Sequence, residues 1–276
     1  MRAGGQGIAS GFRDASALAW RLGLLHRHPQ ADYSKLFTAW YTERKQQFER
    51  SLAATVHNGA YVTEADPIKV FWREWYLWAV QLVPSWKREI EKGPRAQGMT
   101  RYQYSHGLPF LPDLDGGVLL PQVYARNLKN DAVVFTDDLI FAPSKNGLFQ
   151  LLILLNTVDE LEDSVANIDD VDRLSSGLVL AAESTILVQD VQAKQLKENN
   201  AVASMARIAT ADEFAADPIL CGNRPRPQYY DPLRLQKEVK GKRFVIVRPD
   251  RFIFAVCADR AELRDALGRL PLAVQI

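Results

Sequence analysis

The residues best suited to chemistry stand near the start of the chain, where four glycines occur within eight positions. Residues 4–11 read Gly-Gly-Gln-Gly-Ile-Ala-Ser-Gly, and a pattern typical of an amphipathic helix follows them. Glycine lets a backbone turn tightly and approach a ligand closely. A helix that begins behind such a loop directs unpaired N–H groups and a positive dipole end toward it. The stretch therefore predicts a loop-to-helix junction that can hold an anion, or a ring that becomes anionic.

The glycine spacing alone does not identify a dinucleotide site. That fingerprint requires G-x-G-x-x-G directly after a strand. In this chain Ser10 stands where the third glycine would be, and no strand pattern precedes the loop. On spacing alone, an N-terminal tail followed by a capped helix is therefore the favoured interpretation, because isolated motif matches are frequently false.

The order of the residues after the glycines carries more information than their spacing. It resembles a motif of the FAD-dependent aromatic hydroxylases, which include phenol hydroxylases and the chlorophenol and hydroxyphenylpropionate monooxygenases. The matching positions are Gly4, Gly5, Gln6, Gly7, Gly11, Arg13, Asp14, Ala15, Leu18, Trp20 and Leu22. The resemblance implies that the loop lies along the pyrimidine side of the flavin ring and that the following helix points at that ring.

This resemblance implies FAD as the cofactor. The binding residues that it implies are Gly5, Gln6, Gly7, Ile8, Ala9 and Asp14. Asp14 is expected to orient the loop by accepting backbone N–H bonds in the first helical turn, and the helix N-terminus would stabilise the charge of reduced flavin. The family usually has Met-Asn where this chain has Ile8-Ala9, so one side-chain contact is lost. The resemblance does not identify a catalytic base, because the family's substrate sheet has no counterpart in the matched segments, and no metal site is predicted.

Other segments extend the resemblance along the chain. Residues 41–45, Tyr-Thr-Glu-Arg-Lys, resemble the Tyr-x-x-Glu-Arg segment that follows the flavin helix. Residues 247–252, Val-Arg-Pro-Asp-Arg-Phe, resemble the Val-Arg-Pro-Asp-x-Tyr/Phe segment of the C-terminal domain, and residues 133–139 resemble the start of that domain. Even within the family, we interpret 41–45 as core aromatics with a solvated Glu/Arg face, and Arg248 and Asp250 as turn residues.

The expected fold class is α+β, with two parts. Residues 1–112 are expected to form a helical remnant of a flavin monooxygenase, and residues 113–276 a thioredoxin-like α/β domain without the redox Cys-x-x-Cys. In the first part the apolar spacing predicts helices over 10–28, with Ser10 as N-cap, then over 32–56 and 67–91. The third helix is so rich in aromatic residues that part of its apolar surface is expected to lack a covering partner.

The second part begins after residues 93–117, whose Gly, Pro, Tyr and Asp content predicts a linker. Apolar runs then predict strands, and the final helix is expected to have Asp259 as N-cap with Glu262 in a capping box. The predicted strands are 149–155, 177–180, 184–189, 244–247 and 252–256, the last two as a hairpin, and the predicted helices are 159–174 and 259–270.

Composition narrows the function classes. The net charge of +1 does not indicate the basic surface that nucleic-acid binding requires. Two distant cysteines suit a reducing compartment and lack zinc-ligand spacing. We predict a cytoplasmic protein without a membrane segment, because no signal peptide is visible and the most apolar stretch, 68–83, is too short to span a bilayer.

In full-length hydroxylases of this family, a G-x-G-x-x-G nucleotide-binding region, most of the substrate sheet and a Gly-Asp pair precede the glycine loop. The resemblance covers only the later part, so the chain is expected to be either a truncated or split gene product or one recruited to another role. FAD is expected to bind weakly or not at all to the isolated chain. The implied reaction is hydroxylation of a phenolic or other aromatic substrate with NAD(P)H and O2. A complementary nucleotide-binding chain or a homodimer would be the partner.

Whether the chain is itself an enzyme stays open at this point. The first alternative is a non-catalytic interaction protein derived from such a hydroxylase. The second is a binding module that uses no flavin.

Overall fold

The structure is a computed structural model that describes residues 6–92, 101–190, 204–222 and 230–275. Four helices open the chain: α1 (Gln6–Arg27), α2 (Ser34–Thr63), α3 (Pro67–Gln81) and α4 (Pro84–Lys92). The single helix predicted over 67–91 is thus two helices. Pro84 begins the second, in accordance with the preference of proline for the first turn of a helix, where it needs no N–H partner.

The start of α1 differs from the sequence prediction. The helix already includes Gln6, so residues 6–9 are helical and Ser10 is not an N-cap. Each glycine weakens a helix by about 1 kcal/mol. The apolar face further along the helix is nevertheless well packed, since Trp20 and Leu24 are buried in the core, and tertiary packing of this kind outweighs local propensity.

A seven-stranded mixed sheet forms the centre of the molecule. Its strands are β1 (Tyr124–Asn127), β2 (Val133–Phe135), β3 (Gln150–Leu155), β4 (Thr185–Val188), β5 (Ser204–Ile208), β6 (Phe244–Val247) and β7 (Ile253–Cys257). They lie in the order β2-β1-β5-β4-β3-β6-β7. Strands β3, β4 and β5 run parallel to one another, and the remaining pairs are antiparallel. Mixed sheet and helices together agree with the predicted α+β class.

Strand β3 confirms the strand predicted from the apolar run at 149–155, since all six of its residues are buried. The predicted hairpin is also confirmed, as β6 and β7. By contrast, residues 177–180 are not a strand, because Val179 makes only an isolated bridge to Phe149.

Short helices lie between the strands: α5 (Thr136–Ile140), α6 (Leu161–Ala166), α7 (Val171–Leu174), α8 (Ala211–Ala216) and α9 (Arg234–Glu238). A longer helix, α10 (Arg260–Gln275), follows the last strand. The helix predicted over 159–174 is therefore two short ones. At the start of α10, Asp259 Oδ1 accepts from the Glu262 N–H at 3.0 Å, as predicted, while Glu262 Oε2 accepts from the Ala258 N–H at 2.8 Å.

The helical part and one face of the sheet share a single core. Trp20 of α1 meets Phe149 edge-on, with ring centroids 5.8 Å apart, and Leu24 and Leu36 belong to the same buried cluster as Phe254. The first and second parts of the chain are therefore joined by packing as well as by sequence.

The described part of the expected linker, residues 101–117, is ordered. Tyr102, Phe110 and Leu111 are buried, and the Leu111 N–H donates to the Phe254 carbonyl of β7 at 2.9 Å. The linker prediction is therefore wrong for this segment, because its aromatic and aliphatic side chains find a place against β7. Residues 93–100 of the same prediction lie outside the described residues.

Helix α3 leaves an aromatic face uncovered, as predicted. Trp72, Trp75 and Trp78 are each more than half exposed, and neighbouring rings contact one another edge-on or at a tilt.

A bilayer-spanning helix is not found anywhere in the described ranges.

Candidate functional site

The residues that the resemblance assigns to flavin binding lie at the beginning of α1. Gly5 lies outside the described residues, and the backbone of residues 6–9 forms the first turn of the helix. This turn contains no acidic residue, so no carboxylate offsets the positive end of the helix dipole. Ile8 is 75% exposed. The start of α1 therefore combines the positive end of the helix dipole with an exposed Ile8.

Asp14 contacts α2. The resemblance had instead implied that Asp14 accepts backbone N–H bonds in the first turn of α1. Its Oδ1 accepts from Nε of Arg44, and Arg44 also donates to Gln47 Oε1 and, at 3.3 Å, to Ser10 Oγ. Arg44 is mostly buried while Asp14 is partly exposed. This ion pair holds the beginning of α1 against α2.

A buried ionic network lies two turns further along α1. Arg21 Nη2 donates to Oε2 of Glu43 at 2.8 Å. On the other side of Glu43, Arg248 Nη1 donates to Oε1 at 2.6 Å and Nη2 to Oε2 at 3.0 Å. All three side chains are fully buried. Glu43 thus joins α1 to the residue that follows β6.

Asp250 completes the network. Arg248 donates to both of its oxygens, from Nε at 3.0 Å and from Nη2 at 2.6 Å. Trp20 Nε1 donates to the same carboxylate at 3.1 Å, and the Arg21 guanidinium lies 4.4 Å from the centre of the Trp20 ring. Two cations and two anions therefore balance one another inside the protein, as buried charges must.

The pKa shifts of Glu43 and Arg248 favour the ionised forms of these two residues. Burial by itself would raise the pKa of Glu43, but the Arg248 and Arg21 guanidinium groups outweigh it and hold that pKa below its usual value. Burial would lower the pKa of Arg248, and Asp250 and Glu43 raise it well above the ordinary value instead. Removing one partner from such a pair leaves an uncompensated buried charge, which is strongly destabilising.

A tight turn between β6 and β7 positions Arg248 and Asp250. The Arg251 N–H donates to the Arg248 carbonyl at 2.9 Å, and the Arg248 N–H donates to the Phe252 carbonyl at 2.8 Å. Arg251 has a φ of 70°. A turn followed by one left-handed residue is a common way to close a three-residue hairpin, and Pro249 fixes φ at its start. The turn prediction is confirmed, but these residues also carry the buried ionic contacts.

Sequence reasoning missed Glu43 and Arg21. The solvated Glu/Arg face predicted for residues 41–45 is wrong for Glu43, which is fully buried, while Tyr41, expected in the core, is 62% exposed. The sequence did contain a signal for the burial of Arg21. It follows Ala17 by four positions and precedes Leu24 by three, so it lies on the apolar face of α1.

Other reactive groups offer little alternative chemistry. The described segments contain no cluster of three His, Cys, Asp or Glu residues that could hold a metal. Cys221 and Cys257 are both buried, and neither forms a disulfide. Burial raises the pKa of Cys257 to about 12, so its thiol stays protonated and unreactive near neutral pH.

Comparisons with known proteins address the fold. No protein-family profile matches the sequence, and no curated protein sequence matches it. Fifteen chains of solved structures match. One is the flavin-dependent monooxygenase PieE in complex with FAD and substrate, with a TM-score of 0.51 and 14% sequence identity. The match covers 98% of this chain and 45% of that one. The chain thus shares its fold with part of a flavin-dependent monooxygenase and spans less than half of that enzyme's length.

Proposed function

We propose that this chain forms the flavin-facing helix and the C-terminal domain of an FAD-dependent monooxygenase, which hydroxylates a phenolic or other aromatic substrate with NAD(P)H and O2. One observation carries the proposal. Three of the four segments that resemble the aromatic hydroxylases are far apart in the sequence, yet they supply the five residues of one buried network. These are Trp20 and Arg21, then Glu43, then Arg248 and Asp250. The shared fold with PieE supports the same reading.

The beginning of α1 fits the role of holding a flavin ring. The backbone N–H groups of the first turn, including those of Gly7 and Ile8, have no partner within the helix. They would hold the pyrimidine edge of the ring, where reduced flavin is negative, with help from the helix dipole. Gly7 has no side chain that could fill the space of the ring. When bound, the flavin supplies the redox and oxygen chemistry, while the protein supplies position and electrostatics.

We further propose that residues 113–276 form a thioredoxin-like domain that serves as a scaffold, with residues 1–112 as the helical, flavin-facing part. Support comes from strand order and direction. The strands β4-β3-β6-β7 comprise a parallel pair with a connection, then an antiparallel hairpin, and α10 follows. The sequence contains no Cys-x-x-Cys, so this domain would not perform dithiol chemistry.

A second candidate function is a non-catalytic interaction protein derived from such a hydroxylase. The exposed aromatic face of α3 favours it, because Trp72, Trp75 and Trp78 present a contiguous apolar surface of the kind that marks protein interfaces.

Bound flavin in a reconstituted complex separates the two candidates. This chain would be co-expressed with the nucleotide-binding half of a related hydroxylase, and flavin absorbance per complex would be measured. Gly7→Val should abolish flavin retention, because its side chain would fill the space of the ring. Gly11→Ala is the matched control, since nothing lies within 4 Å of a Cβ at that helical position. If Gly7→Val retains as much flavin as the parent, the interaction protein becomes the better account.

A further inference from the structure

A cavity of 260 Å³ opens beside the buried network, between α1, α2 and the β6–β7 turn. Its apolar lining consists of Phe12 and Ala17 of α1, Leu119, and Phe252, which follows the turn. The described residues assigned to the proposed flavin contact, at positions 6–9 and 14, do not line it. The cavity is therefore a feature of its own.

The charged groups that line the cavity do not give it an excess of either charge. Three of the four form ion pairs: Arg44 with Asp14, Arg251 with Asp137, and Asp250 with Arg248. The fourth, Arg13, is engaged in a contact of its own. An ion that entered the cavity would lose water without gaining an unpaired counter-charge, which is costly. An uncharged occupant is therefore favoured.

Two polar side chains of the lining are almost completely buried, yet each has a donor without a protein partner. Gln47 and Tyr102 are each 4% exposed. Gln47 accepts from Arg44 through Oε1, but neither Gln47 Nε2 nor Tyr102 Oη forms a hydrogen bond with any residue that the structure describes. Neither atom is enclosed by protein, so each reaches the space that its side chain lines, which is the cavity. A buried donor costs free energy unless an acceptor meets it.

These groups call for an acceptor. Burial, and then the negative charge of Glu43, raise the pKa of Tyr102, so its phenol keeps the proton that it donates. The side-chain amide nitrogen of Gln47 only donates. A carbonyl oxygen has two lone pairs and no proton of its own, so it can accept from two such donors at once.

Aromatic rings form the wall beside these donors. Tyr102 stacks on Phe252 with ring centroids 4.3 Å apart and an interplanar angle of 29°, and Phe252 is itself buried. Phe12 lines the cavity from α1. Aromatic side chains bind a planar ring by offset or edge contacts, so the lining suits a ring as well as an acceptor.

We infer that this cavity is a binding site for a small uncharged aromatic carbonyl compound. Its ring would lie on the apolar lining, and its carbonyl oxygen would accept hydrogen bonds from Tyr102 Oη and Gln47 Nε2. The volume of 260 Å³ lies just below the usual range for ligand pockets, which limits the occupant to a single ring with a short substituent. The inference does not depend on the proposed flavin chemistry, because the residues that carry it lie outside the proposed flavin contact.

NMR titration of the isotope-labelled full chain with acetophenone tests the inference. Toluene keeps the ring without an acceptor, acetone keeps the carbonyl without the ring, and benzoate keeps the shape but adds a charge. We expect saturable acetophenone binding that shifts the side-chain amide signals of Gln47. Binding of each comparison ligand should be at least about tenfold weaker, equivalent to about 1.4 kcal/mol.

Two results of this titration would overturn the inference. One is the absence of saturable acetophenone binding up to about 10 mM, where even a Kd of about 1 mM would be detected. The other is a comparison ligand that binds as tightly as acetophenone, because the ring, the acceptor or the lack of charge would then not matter.

Tyr102→Phe removes the phenol O–H and keeps the stacked ring. One hydrogen bond corresponds to about fivefold in affinity, so acetophenone should bind about fivefold more weakly to this variant, while toluene should bind both proteins alike. Tyr104→Phe is the matched control, since Tyr104 is 49% exposed and lies outside the lining. An acetophenone affinity that Tyr102→Phe leaves unchanged would contradict the inferred contact.

A second variant tests the location without altering a donor of the proposed contact. Ser16 lines the cavity from α1, and Ser16→Phe should fill it and abolish acetophenone binding. Ala19→Phe, at an exposed position of the same helix outside the lining, should leave binding unchanged. Circular dichroism and thermal unfolding check each fold. If Tyr102→Phe does not fold, Ser16→Phe decides, and unchanged acetophenone binding in Ser16→Phe would overturn the inference.

Discussion

The indole N–H of Trp20 donates a hydrogen bond to Oδ2 of Asp250 at 3.1 Å, across 230 positions of the chain. Trp20 lies on the helix that begins with the proposed flavin contact, and Asp250 lies in the turn between the last two strands. A displacement of either element would break this bond and the ionic contacts around it. The direction of α1, and hence of its N-terminal turn, is therefore set by the C-terminal part of the chain.

Trp20→Phe should destabilise the protein. The variant leaves Asp250 bonded to Arg248 but removes one donor and part of a buried ring, so we expect a loss of about 1–3 kcal/mol in the free energy of unfolding. Trp72→Phe is the control, because Trp72 is 60% exposed. Urea unfolding of both variants measures the difference. Equal stability of the two would mean that the Trp20 contact contributes little.

Glu43→Gln should have a larger effect. The neutral amide leaves the buried Arg21 and Arg248 with one counter-ion, Asp250, between them, and breaking a buried ion pair costs about 3–5 kcal/mol. Glu49→Gln serves as control, since Glu49 forms an exposed pair with Lys45 on the same helix and such pairs contribute about 1 kcal/mol or less. A stability of Glu43→Gln within the range of the control would contradict the network's structural role.

The contribution of Glu43 should depend on pH in a definite direction. Its folded-state pKa is lowered relative to 4.5, since the two arginines outweigh the effect of burial. The stabilisation is therefore present above about pH 4.5, the unfolded value, and is lost as the pH falls through the folded value. The stability difference between parent and Glu43→Gln should be constant near neutral pH and shrink in acid. A difference that grows as the pH falls from neutral toward 4.5 would show that the folded-state pKa is raised.

Gly116→Ala tests the packing of the segment once expected to be a linker. A Cβ at Gly116 would lie 2.3 Å from the Phe254 carbonyl oxygen and 2.8 Å from that of Leu111, so backbone would have to move. Gly268→Ala in α10 is the control, because its Cβ meets nothing within 4 Å and helical Gly→Ala stabilises by about 0.5–1 kcal/mol. Thermal unfolding should show opposite signs. A neutral Gly116→Ala would indicate that residues 101–117 are loosely held.

The sequence predicted those elements that are specified by a short, distinctive run of residues. The apolar run of β3 and the proline turn of the β6–β7 hairpin both identify themselves in the sequence, and so does the side-chain cap that Asp259 provides for α10. Strands β1, β2 and β5 are short and only partly buried. They carry little periodic signal, and their pairing depends on residues far away in the chain.

The buried ionic network could not be predicted from neighbouring residues, because it also depends on contacts between distant segments. Glu43 lies between Thr42 and Arg44 in a pattern typical of a solvated helix face, and the approach of Arg21 and Arg248 makes its burial possible. Resemblance to a family singled out the right segments without revealing that they meet. The start of α1 was mispredicted because core packing at Trp20 and Leu24 stabilises a helix that its glycines would not form alone.

The central claim is that the first turn of α1 faces the flavin, and amide NMR of the reconstituted complex tests it most directly. Spectra of this chain, isotope-labelled and bound to an unlabelled nucleotide-binding half, would be compared with oxidised and with reduced flavin. We predict that the Gly7 and Ile8 amides shift on reduction, because negative charge develops at the ring edge they face, while Gly268 in α10 does not shift. Unchanged Gly7 and Ile8 amides in a complex that demonstrably holds reduced flavin would contradict the account.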